Sequence, residues 1–304
     1  MKNQQKTKKP IMAYLAGISA AIIWGGSMAV VKDASNKLDI LEVMSVRLLI
    51  AAALMTLLVV LKIIKVKYSK KDILPLIGIG TLQPCMYGAL EMLGIELTTA
   101  SVASIFLALV PVMALILAVV IMKENVTAIQ IASVVLSFGG VIIVAIFSGN
   151  FELGGKLLGY AVLLAAVSTG AAYSVCVAKV SNRCSPFEIT YAMSIVGFIV
   201  YNSLNFAIGS GVDTYIKVFS EPKFLMPVLY LGVLSAVWGF LAYNYTLSKL
   251  PIHIASAMVL TGTTVIGVIS GVVLLSEPLT SGTVIGTLCM VVGIIGVNKV
   301  TKKE

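Results

Sequence analysis

The stretch "MKENVTAIQ", Met122 to Gln130, interrupts one long apolar run, and "SEPLTSGTV", Ser276 to Val284, interrupts another. Each carries a Glu followed three residues later by a Thr. Glu124 and Glu277 stand 153 residues apart, about half of the 304-residue chain. The same polar break, made twice at half-chain spacing, implies a duplicated unit. The apolar runs around it decide what kind of unit that is.

Nine runs contain no Asp, Glu, Lys, Arg or His and are long enough to span a bilayer: 10–31, 73–90, 97–122, 125–151, 157–178, 189–212, 224–248, 254–276 and 278–298. A tenth, 43–61, is interrupted only by Arg47. Crossing ~30 Å of hydrocarbon takes about 20 apolar helical residues. The chain is 59% hydrophobic and 12% charged, with mean hydropathy +1.04; soluble domains carry roughly 25% charged residues. The runs lack the alternating polar residues of a barrel lumen, so helices are the spanning structure that satisfies the backbone in lipid. The expected fold is an all-α membrane protein of ten transmembrane helices.

Too little chain remains between the runs for a separate catalytic domain. The basic start "MKNQQKTKKP" leads into an apolar run without an A-x-A-like cleavage site, so that run is read as a retained first span. Cys85, Cys176, Cys184 and Cys289 have neither zinc nor disulfide-scaffold spacing and read as small apolar fillers.

Positive charge sets the orientation. With both termini cytoplasmic, sixteen Lys and Arg fall inside and five outside, and Arg47 lies within a span. The net charge of +9 then belongs to an anionic inner leaflet. Nucleic acid is not an expected partner, because no basic patch on a soluble fold is available.

A shift of 153 residues aligns Leu97–Val144 with Leu250–Val297 without a gap, placing Thr127 on Thr280 and Gly140 on Gly293. Earlier, "WGGSMAVVK" (24–32) corresponds loosely to "TGAAYSVCVAK" (169–179). Residues 1–150 and 151–304 therefore each hold five spans. An odd number makes the second half enter from the opposite face, so the repeats are inverted, an arrangement that places a substrate site near the midplane. Thr127 and Thr280 are placed to cap the fifth and tenth spans, with the Glu beside the same positive helix ends.

"WGGSMAVVK", "RLLIAAAL", "ALEMLGIELTTASVASIFLALVPV" and "KENVTAIQIASVVLSFGGVIIV" together resemble one EamA repeat, and "SEPLTSGTVIGTLCMVVGIIGV" resembles the end of a second. The chain is thus similar to the ten-helix EamA-type members of the drug/metabolite transporter superfamily. That resemblance implies a permease or exporter of amino acids, metabolites or drugs in a bacterial inner membrane. One departure breaks the symmetry: Pro111 in the fourth span matches Thr264 in the ninth.

Candidate binding residues follow from polarity inside apolar spans. Arg47 could hold a carboxylate through its fork, or else snorkel or pair with Glu42. Glu91 is the best carboxylate for an ammonium or a proton, and the 153-residue shift places it opposite Asn244. Trp24, Ser27, Tyr87, Tyr173, Trp238 and Tyr243 could line a cavity, as could Thr261, Thr263 and Thr264 of "TGTT". Belt or lipid-facing placement is the competing reading for each aromatic. His253, the sole His, reads as interfacial.

The function expected is a secondary transporter, an exporter of an amino acid or derivative working by alternating access. A lipid- or drug-translocating protein and a non-transporting membrane subunit are the alternatives. No Walker A pattern and no cluster of His, Asp and Glu is present for an enzyme, and no cofactor or metal is implied. The small-molecule substrate and membrane lipids are the expected partners; proton coupling and the choice between monomer and homodimer stay open. Reporter fusions test the orientation. A fusion after Glu304 is expected to report the cytoplasm and one within 213–223 the opposite side; equal signals from both would refute the topology.

Overall fold

Residues 11–122, 127–147, 155–250 and 252–299 are described by a computed structural model. Every regular element among them is helical. In chain order these are α1 (Ile11–Ser35), α2 (Ile40–Val60), α3 (Lys70–Leu97), α4 (Ala100–Leu107), α5 (Val110–Met122), α6 (Ala128–Phe147), α7 (Gly155–Val180), α8 (Pro186–Ile208), α9 (Val212–Ser220), α10 (Pro222–Lys249), α11 (Ile252–Leu275) and α12 (Ser281–Lys299).

Seven helices are long and apolar enough to cross a membrane: α1, α2, α3, α7, α8, α10 and α11. Shorter apolar helices, Ala100–Ala114, Ile131–Val144 and Ser281–Gly293, stand where the fourth, fifth and tenth spans were expected. Glu124 and the His253 side chain lie outside the described residues.

Lipid-facing and core-facing positions are both apolar. Ile11, Leu15, Ile18 and Ile22 of α1 are exposed, as are Val284, Ile285, Leu288 and Val292 of α12. Amphipathic patterning is therefore weak, and helix ends carry the local specificity instead. At the start of α8 the Ser185 hydroxyl accepts from the Glu188 N–H (3.3 Å) and the Glu188 carboxylate accepts from the Ser185 N–H (2.7 Å), a reciprocal cap. The other Glu188 oxygen accepts from the Lys67 N–H (2.7 Å), which ties the α2–α3 connection to α8.

One helix is kinked in mid-span and another is loosened there. In α3, Pro84 supplies no N–H to the preceding turn and Gln83 has non-helical dihedrals (φ −142°, ψ 118°), so the helix is kinked within Thr81–Met86. In α10 the π-helical stretch is Tyr230–Gly239. The 153-residue shift carries Thr81–Met86 into that second stretch. The chain also turns between α4 and α5 just before Pro111, whereas α11 runs unbroken through Thr264, so the Pro111–Thr264 departure has the structural consequence expected of it.

The packing pairs helices in a regular way. α6 lies along α12 and α2 along α8; α1 packs on α11 while α7 packs on α4 and α5; α3 packs on α7 while α10 packs on α1; α2 meets α10 while α8 meets α3. Exchanging each helix of the first half for its counterpart in the second leaves this list unchanged.

The α6–α12 contact depends on glycine. A Cβ on Gly286 would come within 2.3 Å of a Val144 methyl and 2.6 Å of the Gly140 carbonyl. Small residues of this kind let helix backbones approach in a membrane. A Gly286→Val substitution is expected to destabilise the protein by about 1–3 kcal/mol through overpacking. Gly139→Ala, where a Cβ would meet nothing within 4 Å, is expected to be neutral. Thermal melts in detergent check both, and equal melting temperatures for the two variants would remove the seam's importance.

Candidate functional site

A narrow cavity of about 30 Å³ lies among α1, α2, α3, α4, α10 and α11. Its polar lining is Trp24 and Ser27 from α1, Arg47 from α2, Gln83, Tyr87 and Glu91 from α3, Ser104 from α4, Ser235 from α10 and Thr263 from α11. Met28, Met44, Leu107, Phe240 and Leu260 supply apolar wall. The break at Gln83 and Pro84 opens onto this space, which is where irregular backbone is tolerated at membrane depth.

Arg47 is 5% exposed. Its Nη1 approaches the Met44 Sδ at 3.9 Å, and its Nε has no hydrogen-bond partner among the described residues. Glu42 does not pair with it: Lys217 takes both Glu42 oxygens, at 3.1 and 2.8 Å. Burial likewise rules out snorkelling to the interface. Arg47 thus keeps donor capacity inside the cavity.

Glu91 accepts from the Tyr87 hydroxyl at 3.2 Å. It forms no ion pair with Arg47 among the described residues. Arg47 lies seven residues from the start of α2 and Glu91 six from the end of α3, so both stand about 10 Å from the same face. A carboxylate and a guanidinium thus stand at one depth and face one space.

The second half is different at the matching place. Asn244 is fully buried; its Oδ1 accepts from the Tyr173 hydroxyl (2.7 Å) and its Nδ2 donates to the Thr190 Oγ1 (3.0 Å). This network closes on itself, and Asn244 does not line the cavity. Tyr173 and Tyr243 line an adjoining recess with Trp24, Gln83, Tyr87 and Leu260. The Tyr243 hydroxyl meets Ser174 (3.2 Å) and Ser256 (3.0 Å).

Besides Asn244, Tyr173 and Tyr243, three more expected residues stand apart from the cavity. Trp238 is 54% exposed, with its indole N–H on the Ser19 hydroxyl at 3.2 Å, so it belongs to the outer surface of the bundle. Thr264 donates to the Ser104 carbonyl (3.2 Å) and the Leu260 carbonyl (2.8 Å), joining α11 to α4. Thr261 is half-buried and also away from the lining. Of the three threonines Thr263 is the one on the cavity lining. Gln83, Ser104 and Ser235 are the lining residues that sequence reasoning missed; a polar Gln beside Pro84 in mid-span was the readable signal for the first.

Thr263 is 4% exposed and its Oγ1 has no partner among the described residues. Thr263→Val is therefore expected to leave the melting temperature unchanged or raise it. Thr264→Val, which loses two acceptors, is expected to cost about 1 kcal/mol. The reverse order in a melting experiment would show that the inward hydroxyl is Thr264.

The sequence profile of the EamA-like transporter family matches residues 11–146 and again 157–299. Among curated relatives, an uncharacterized transporter of Bacillus subtilis, YcxC, is 29% identical over 289 residues, covering 94% of this chain and 92% of the relative. An uncharacterized transporter of Archaeoglobus fulgidus is 25% identical over 272 residues, covering 89% and 93%. A solved crystal structure shares the fold at TM-score 0.70 and 13% identity, over 95% of this chain and 98% of that one.

Proposed function

The chain belongs to the EamA-like transporter family, and from that membership we propose that this membrane transporter exports a small zwitterionic metabolite, an amino acid or derivative. The observation that carries the substrate class is the cavity shared by Arg47 and Glu91, with the Arg47 Nε unpaired. Arg47 receives the carboxylate and Glu91 the ammonium. Glu91 is also the carboxylate available for proton coupling.

We take the chain as ten spans in two inverted five-helix repeats, 1–150 and 151–304, with both termini cytoplasmic. Two observations support the repeat: the double profile match and a helix-pairing list that survives exchange of the halves. Trp24, Ser27, Tyr87 and Thr263 shape the space around the two charges. Trp24 stands edge-on to Phe240 and Tyr243, with centroids 4.9 and 5.3 Å away, forming the apolar wall for the substrate side chain. Alternating access moves one helix group against the other around this site.

A charge-assisted contact contributes roughly 1.5–3 kcal/mol, or about ten- to more than a hundredfold in affinity. Arg47→Gln and Glu91→Gln are each expected to weaken binding of amino acids to the purified protein by that factor while inserting normally. Two folded variants with parental affinity across the amino-acid panel would end the zwitterion reading.

A further inference from the structure

The end of the cavity nearest Arg47 and Glu91 is held shut by contacts that the binding reading does not use. α3 and α4 are joined by a tight turn at Thr98 and Thr99. The Lys32 ammonium of α1 donates to the carbonyls of Ile95 (2.9 Å), Glu96 (3.0 Å) and Thr98 (2.8 Å), closing the α3 C-terminus. The Glu277 carboxylate, from the α11–α12 connection, accepts from the N–H groups of Ala100 (2.9 Å) and Ser101 (3.0 Å), closing the α4 N-terminus. Each charge sits at the helix end its sign favours.

The two clamping residues come from the same side of the cavity. α1 packs on α10 and α11, α3 packs on α7, and α4 packs on both α11 and α7. Lys32 and Glu277 therefore reach from α1 and the end of α11 to grip the turn that leads from α3 into α4. Below them α11 and α4 meet along a seam of small residues. A Cβ on Gly271 would lie 2.4 Å from the Ser101 Oγ and 2.5 Å from a Glu277 oxygen, and one on Gly267 would lie 2.0 Å from the Ser104 Oγ. The seam has no room for a solute.

We propose that Glu277 and Lys32 are the gate of the transporter at this face: a clamp that must let go of the α3–α4 turn before the Gly267–Gly271 seam parts and the cavity opens. The proposal rests on the alternating-access reading of the cavity. It makes Glu277 a positioning residue for the transport cycle, without contact to substrate. Glu277→Gln keeps the size of the side chain but weakens its hold on two backbone N–H groups. Gly271→Val wedges the seam directly and also crowds the Glu277 carboxylate, without removing its charge.

The test reads opening without needing the substrate. Ser104→Cys, on the cavity side of the seam, is placed in a variant lacking the four native cysteines. Its labelling by a membrane-impermeant maleimide is followed in right-side-out and inside-out vesicles, with gel filtration as the check on folding. Labelling from the face bearing Thr98 is expected to be slow in the parent and at least about tenfold faster with Glu277→Gln or Gly271→Val. Glu277→Asp, which keeps the charge, is expected to fall between. Parental labelling rates in both folded wedge and charge variants would overturn the gate. If those rates stay parental while added L-amino acids still change labelling of the parent, the alternating-access reading survives and the clamp alone falls. A Ser101→Cys/Gly271→Cys pair gives an independent check: oxidation should block labelling from this face and reductant should restore it.

Discussion

The turn at Thr98 and Thr99 is the point on which the rest of this structure depends. Two helices end there, and each end leaves backbone groups without intrahelical partners. In a membrane such groups must be satisfied by protein. Lys32 satisfies carbonyls of α3, Glu277 satisfies N–H groups of α4, and the Thr99 hydroxyl accepts from the Val102 N–H at 3.2 Å. These bonds fix where α3 and α4 stand against α1 and α11. They thereby fix the spacing of Tyr87 and Glu91 on α3, Ser104 on α4, Trp24 and Ser27 on α1, and Thr263 on α11. The cavity is what remains between helices held in that way.

This changes the meaning of the repeated Glu. Spacing along the chain suggested that Glu277 would serve the helix that follows it, α12, because capping residues usually lie just before the helix they cap. Thr280 does so, accepting from the Thr283 N–H at 3.1 Å. Glu277 instead serves a helix from the other half of the chain. The local pattern was legible, but the partner was not, since a carboxylate three residues before a Thr carries no information about which helix end lies opposite it in space. Lys32 presents the same problem. It read as one outer lysine among five, yet it closes a helix end 63 to 66 residues away.

Legibility divides along a physical line. Helix existence depends on hydrophobic length, which the sequence states directly; the seven long helices and the three shorter ones fall where apolar runs predicted them. Which side of a helix faces the cavity depends on rotation, and here apolar residues cover both lipid and core faces. Adjacent threonines Thr263 and Thr264 show the result, one lining the cavity and the other bonded to Ser104. Trp238 shows it too, since an indole is at home in a lipid-facing surface as readily as in a cavity wall. Charges are less ambiguous because a charge inside a span has few tolerable places, and both candidates, Arg47 and Glu91, stand on the lining of the cavity.

The asymmetry between halves is the last step. A perfectly repeated transporter would carry the same groups at equivalent depths from both faces. Here Glu91 is matched by Asn244, and Asn244 is neutral, buried and fully bonded through Tyr173 and Thr190. Duplication supplied two equivalent positions; one became a closed neutral network that joins α7, α8 and α10, and the other kept a carboxylate with an arginine nearby. The charged place lies about 10 Å from the face closed by Lys32 and Glu277. The polar end of a bound zwitterion would therefore sit beneath the clamp, with its side chain directed toward Trp24 and Phe240 deeper in the bundle. On the alternating-access proposal a single site serves both faces, with the repeat as its frame and the departure from the repeat, Glu91 against Asn244, as its chemistry.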